Sequence, residues 1–136
     1  ERFESTWAKI IATFETHRRL WVANFEIFTQ MIGQPAAREA IASKLHMARA
    51  GLAAMFLHQD ESTLSEETVG TIGTFHHVLL SGLIVQWLID PGSAISAENL
   101  TEALRRTAKS LELGRKNSAK KRKKSRASTK KRRSSA

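Results

Sequence analysis

The chain has 136 residues, a formal charge of +9, no cysteine and no tyrosine. That length holds one compact domain and little else, and the missing cysteines exclude a disulfide framework, a zinc-thiolate site and a cysteine nucleophile. The charge is unevenly placed: Arg115 to Ala136 carries 12 basic and no acidic residues, leaving residues 1–114 with 10 basic and 13 acidic, a net of −3. The high isoelectric point therefore belongs to a tail and says nothing about nucleic-acid binding by the body.

Apolar residues recur with a period near 3.6 throughout, which predicts an all-α domain of about five helices over 1–113. The first, about 2–16, aligns Phe3, Trp7, Ile10, Ile11 and Phe14. The second, about 18–33, aligns Trp21, Phe25, Phe28 and Ile32, and Gly33 ends it. Pro35 then opens a third, about 35–58, where its missing N–H costs nothing. Residues 59–64 form a polar connection. Ser65 is placed as the N-cap of a fourth helix reaching Ile89, with Glu66 and Glu67 facing its positive end and Leu64 stapled to Val69. Asp90-Pro91-Gly92 stops it. A last helix starts after Ser96, with Ile95 opposite Leu100, and is expected to close at Gly114. Residues 114–136 hold nothing that offsets chain entropy by burial, so a disordered basic tail is expected.

The fourth helix is apolar on nearly every side. Its longest apolar run, 78–89, is too short for the roughly 20 residues of a membrane span, so a core helix is expected, with no membrane partner. Phe75, Val78, Val85 and Ile89 lie away from the Leu79, Leu83, Ile84 and Trp87 face, and such a helix must be covered all round by its own fold or by another subunit. Gly70, Gly73, Ser81 and Gly82 each weaken the helix unless a neighbouring helix approaches closely, the reading preferred here over loosening beside a cavity.

The run His76-His77-Val78-Leu79-Leu80-Ser81-Gly82-Leu83-Ile84-Val85-Gln86-Trp87-Leu88-Ile89-Asp90-Pro91, followed by Ile95-Ser96-Ala97-Glu98-Asn99-Leu100, resembles the carboxy-terminal region of TetR-type transcriptional regulators. The resemblance covers about 1–113, with the earlier helices matching by order and character. It implies an effector-binding and dimerisation domain whose last two helices pair with their symmetry mates, and an operator-binding helix-turn-helix that is absent here. The sequence starts at Glu1 without a methionine, so a processed, truncated or excised product is expected.

A homodimer seam is expected along the second face of 65–89 with 96–111, with Val78, Leu80, Gly82, Leu83, Ile84, Trp87, Leu100 and Leu104 as candidates. Trp21, Phe25, Phe28, His46, Met55, Phe56, Phe75, His76 and Trp87, with Met47, are candidates for a pocket taking a small apolar or amphipathic effector. The five histidines contain no i, i+4 pair, and His76 and His77 point about 100° apart on a helix, so neither a metal nor a cofactor is expected. No nucleophile elbow, phosphate loop or zinc motif is present, so no catalysis is expected either. Lys120, Lys121, Arg122, Lys123, Lys124, Lys130, Lys131, Arg132 and Arg133 are candidates for non-specific phosphate contact. The expected setting is cytoplasmic. The competing expectation is a stand-alone helical interaction module whose tail binds a polyanion.

Overall fold

A computed structural model describes the backbone of residues 2–133 and the side chains of residues 2–116. Five helices follow in order: α1 (Arg2–Thr16), α2 (Arg18–Ile32), α3 (Arg38–Leu57), α4 (Glu66–Ile89) and α5 (Ala97–Arg133). No strand occurs among the described residues. The all-α architecture expected from the hydrophobic period is the one observed. The chain divides into two compact units, Glu1–Ala97 and Glu98–Ala136.

In the first unit, α1, α3 and α4 meet around Trp7, which is fully buried. Its indole lies 5.2 Å from the Phe56 ring of α3 and 6.3 Å from the His76 ring of α4, and Phe3 edges the same cluster. Two turns further along α1, Phe14 is also buried and meets Trp21 of α2 edge-on at 5.5 Å and Trp87 of α4 at 6.0 Å. Two aromatic clusters thus pin α1 to the rest of the bundle, each ring pair adding about 0.5–1.5 kcal/mol beyond its area. Helix α2 leaves α1 through a single residue, His17, whose carbonyl accepts the N–H groups of Leu20 and Trp21.

The joints explain the helix limits. Pro35 begins a 3₁₀ turn, Pro35–Ala37, rather than α3 itself, so the proline supplies a bend and α3 starts at Arg38. At the other end of α3, His58 takes the left-handed conformation (φ 54°) that glycine usually supplies, and its N–H closes on the Ala54 carbonyl. Asp60 caps the short turn Glu61–Thr63, accepting from the Ser62 N–H at 2.9 Å and the Ser62 hydroxyl at 2.5 Å, which hold its carboxyl below the usual range. Ser65 is the N-cap of α4, its hydroxyl oxygen accepting the Thr68 N–H at 3.2 Å. Leu64 is half-buried and Val69 buried, as a staple requires.

Helix α4 contains a feature with no sequence signature. Val69–Gly73 is a π turn, with the Thr74 N–H reaching back to the Val69 carbonyl. It lies where α4 approaches α3 most closely. A Cβ on Gly73 would overlap the Arg49 carbonyl oxygen and sit 2.9 Å from its carbonyl carbon, so only glycine fits there. Of the glycines expected to mark helix contact, Gly73 alone does so in the described residues, since a Cβ on Gly70 or Gly82 meets nothing within 4 Å.

The second unit is α5. Glu102 pairs with Arg106 one turn on at 2.7 Å and with Arg105 at 3.8 Å, and these cations hold its carboxyl below the usual range. The helix does not close at Gly114: no described glycine has positive φ, and the α5 backbone continues to Arg133. Without a proline or a left-handed residue, nothing local ends the ladder there. The side chains of the phosphate-contact candidates Lys120, Lys121, Arg122, Lys123, Lys124, Lys130, Lys131, Arg132 and Arg133 lie outside the described residues, as do residues 134–136 of the tail expected to be disordered.

Candidate functional site

Helix α2 presents Trp21, Phe25 and Phe28 at i, i+4 and i+7, and helix α4 presents His77, Ser81 and Ile84 at the same spacing. These two rows face each other across a cavity of about 230 Å³, closed at one side by Leu45 of α3 and edged by Asn24. None of its lining side chains carries a formal charge. The Trp21 N–H donates to the Thr13 carbonyl at 3.2 Å, so its indole offers the cavity a ring face and no donor. The Ser81 hydroxyl donates to the His77 carbonyl at 2.9 Å, leaving its lone pairs as acceptors. Burial, with the Arg49 charge second, pushes His77 below its usual value, so it is a neutral imidazole at pH 7.

The pocket candidates read from the sequence divide among several places. Trp21, Phe25 and Phe28 line this cavity together. Phe56 and His76 belong to the closed cluster around Trp7, their rings stacked at 3.9 Å. Met55 lines a separate, more open groove of about 440 Å³ between α1 and α3, with Lys9, Ile10, Thr13 and His58 around it. Met47 is exposed. Trp87 packs on Phe14. His46 lines neither described cavity; it is exposed and lies 3.9 Å from Glu66 across the surface. Phe75 also lies outside the described cavities and stands 46% exposed, since it sits two residues, about 200° round the regular helix, from His77. Asn24, Leu45, His77 and Ser81 were not legible as lining residues, since each is ordinary on its own helix and only the packing of three helices brings them together.

His76 is 5% exposed, with Nδ1 2.8 Å from the Ile72 carbonyl, so the proton sits on Nδ1 and Nε2 is a bare acceptor. Neither His76 Nε2 nor the buried Trp7 Nε1–H has a hydrogen-bond partner among the described residues. Desolvation lowers the His76 pKa, with the Ile72 hydrogen bond working against it. Among the described residues no three His, Asp or Glu side chains group as metal ligands would.

The outer face of α4 is open in the single chain. Thr71, Phe75, Val78, Gly82, Val85 and Ile89 follow one another at alternating steps of four and three residues, the spacing of a coiled-coil seam. Val78 is 62% and Ile89 81% exposed, and only Val85 is half-buried. Of the seam candidates, Val78 and Gly82 lie on this stripe. Leu83 is buried, while Leu80, Ile84 and Trp87 are half-buried on other faces of the helix. Within the second unit Leu100 is buried and Leu104 half-buried. Helix α4 spans 24 residues and is long and apolar enough to cross a membrane by length and composition alone. Its backbone contact with Arg49 at Gly73 and its buried His76 tie it into helix packing.

No protein-family description matches the chain, and neither the curated proteins nor the solved structures contain a match.

Proposed function

We propose that the chain is the ligand-responsive regulatory and dimerisation domain of a TetR-like transcriptional regulator, non-catalytic itself, in which a small effector alters operator binding by a helix-turn-helix outside this sequence. One observation carries the reading: α4 lines the cavity with His77, Ser81 and Ile84 and presents the open seam with Phe75, Val78, Gly82 and Ile89 on the adjacent face. A helix that touches both a ligand and a symmetry mate is the simplest element through which one can bias the other. Completing the burial of Phe75, Val78 and Ile89 adds on the order of 1 kcal/mol or more for each. A hydrophobic stripe of this kind on a soluble chain marks an interaction face.

Sedimentation velocity of the full chain tests the reading. A dimer at tens of micromolar is expected, converted to monomer by Val78→Glu with the helical signal retained, because Val78 is exposed in the single chain. A wild-type chain that stays monomeric at that concentration contradicts the seam.

A further inference from the structure

The carboxy-terminal basic run is a charged element that neither the cavity nor the seam uses. Arg115 to Arg133 holds all 12 of its basic residues and no acid, and the backbone over that stretch is the distal half of α5. Nineteen residues of helix rise about 27 Å, so the cations follow one another at one per about 2.3 Å of axis.

The chain has too few acids to neutralise a rod of this density. On the proximal half of the same helix, Glu102 meets Arg105 and Arg106 three and four residues on. From Lys120 onward no acidic residue stands within four positions of any lysine or arginine, and Lys120 with Lys124, Arg122 with Arg126 and Arg126 with Lys130 set like charges one turn apart. Residues 1–114, with 13 acids and 10 bases, offer a surplus of only three acids against those 12 cations.

A linear polyanion of matching density is the partner such a rod fits. Duplex nucleic acid carries about one phosphate charge per 1.7 Å of axis and a single strand about one per 3.4 Å, so only the duplex exceeds the cation density along the whole rod. A lipid surface is the poorer match, because stable attachment of a polybasic segment needs an apolar anchor beside it, and residues 115–136 contain no apolar side chain larger than that of alanine. Successive residues of a helix point about 100° apart, so the runs Lys120 to Lys124 and Lys130 to Arg133 encircle the axis. That arrangement favours phosphates on either side of a groove over one face that reads base edges.

We infer that the distal half of α5 binds the phosphate backbone of duplex nucleic acid without reading its sequence, at a site separate from the effector cavity and the seam and independent of both. One side of a rod meets a duplex, so about six of the 12 cations find phosphates at once, which sets a slope of about −5 in log affinity against log salt.

Fluorescence anisotropy of the full chain with labelled duplexes of about 20 base pairs tests it. Duplex affinity should fall on the order of a thousandfold between about 50 and 200 mM salt, and two unrelated DNA sequences should bind within about threefold of each other. Changing Lys120, Lys121, Arg122, Lys123 and Lys124 together to Gln keeps helix propensity, and should weaken duplex binding about a hundredfold at ~0.1 M salt and make the slope shallower by about two. Lys44→Gln, at an exposed cation of the body, should change neither. A slope shallower than about −2, or a five-Gln variant that binds like wild type, overturns the assignment to this helix. A preference of more than about tenfold between the two DNA sequences overturns sequence independence. Tighter binding to a single strand, or to phosphatidylserine vesicles at equal anion concentration, overturns the duplex as partner. Binding of either a DNA or an RNA duplex supports the proposal, and a preference of more than about tenfold between them identifies the source of the phosphates.

Discussion

Gly73 offers the most direct test of how α4 is held, because two glycines three residues apart on the same helix have opposite surroundings. In an open helix interior, Gly→Ala gains about 1 kcal/mol from the lower backbone entropy of the unfolded chain and better propensity. Gly70 is open, with nothing within 4 Å of a new Cβ, so Gly70→Ala should realise that gain. At Gly73 the new Cβ would overlap the Arg49 carbonyl oxygen and lie 2.9 Å from its carbon, where ordinary contact begins near 3.4 Å. The obstacle is backbone and cannot rotate aside, so α3 and α4 must separate across a contact that also places His76 on Phe56 at 3.9 Å. Overpacking of this kind costs about 1–3 kcal/mol, and backbone against backbone belongs at the upper end. Subtracting the propensity gain leaves a net loss of about 1–2 kcal/mol, so the two variants should differ by about 2–3 kcal/mol. Urea unfolding followed by circular dichroism at a fixed protein concentration measures both. A Gly73→Ala protein as stable as wild type would mean that the π turn and the close approach do not exist in solution.

Three further outcomes follow from named contacts. Ser65→Ala removes the cap from the Thr68 N–H and should cost about 1 kcal/mol of unfolding free energy, with Ser65→Asp close to wild type; a loss no larger than a few tenths would show the cap to be idle. His76 and His77 both have pKa values lowered by burial, so the unfolded chain takes up protons first on acidification. Their contribution is complete above the ordinary imidazole value of about 6.5 and is lost as pH falls toward the folded values, so stability should drop from about pH 7 to 5.5 and His76→Gln should flatten the drop; stability that rises over that interval would reverse the assignment. Gly82→Leu places a bulky side chain in the centre of the open stripe, where a Cβ meets nothing within 4 Å of the same chain. Monomer stability should hold or improve while the dimer dissociation constant rises at least tenfold, and unchanged association would remove Gly82 from the seam.

Much of the bundle was legible because its signals are local. The Trp7 and Phe14 stripe, the Ser65 cap with Glu66 and Glu67 behind it, and the Asp90-Pro91 stop each depend on residues within a turn or two of one another, and each reads the same in sequence and structure. The π turn at Val69–Gly73 depends on how α3 and α4 dock, so nothing in the spacing reveals it. His58 shows the converse: a left-handed cap is expected of glycine or asparagine, and the sequence offers neither at that point. Gly114 carries the composition of a helix end without the positive φ that makes glycine effective as one. For the cavity, the aromatic wall was visible as a stripe on α2. The acceptor at Ser81 was not, because its direction is set by the His77 carbonyl one turn earlier.

The proposed coupling has a consequence that geometry alone fixes. Ser81, which lines the cavity, is adjacent in sequence to Gly82 at the centre of the open stripe, so on this reading one turn of α4 belongs to both equilibria. A ligand shifts the monomer–dimer balance only by the ratio of its affinities for the two forms. By linkage, the factor by which a ligand changes the dimer dissociation constant must equal the factor by which dimerisation changes the ligand affinity per site, compounded over two sites. A coupling of 1–3 kcal/mol, about 5- to 150-fold, is the usual range for such pairs. If ligand binds equally to wild type and to the Val78→Glu monomer, the factor is one, and α4 would then serve as a wall to two independent sites. Regulation through this domain would in that case have to act on the angle between subunits within a dimer of constant affinity, with the π turn, where α4 already departs from regular winding, as its pivot.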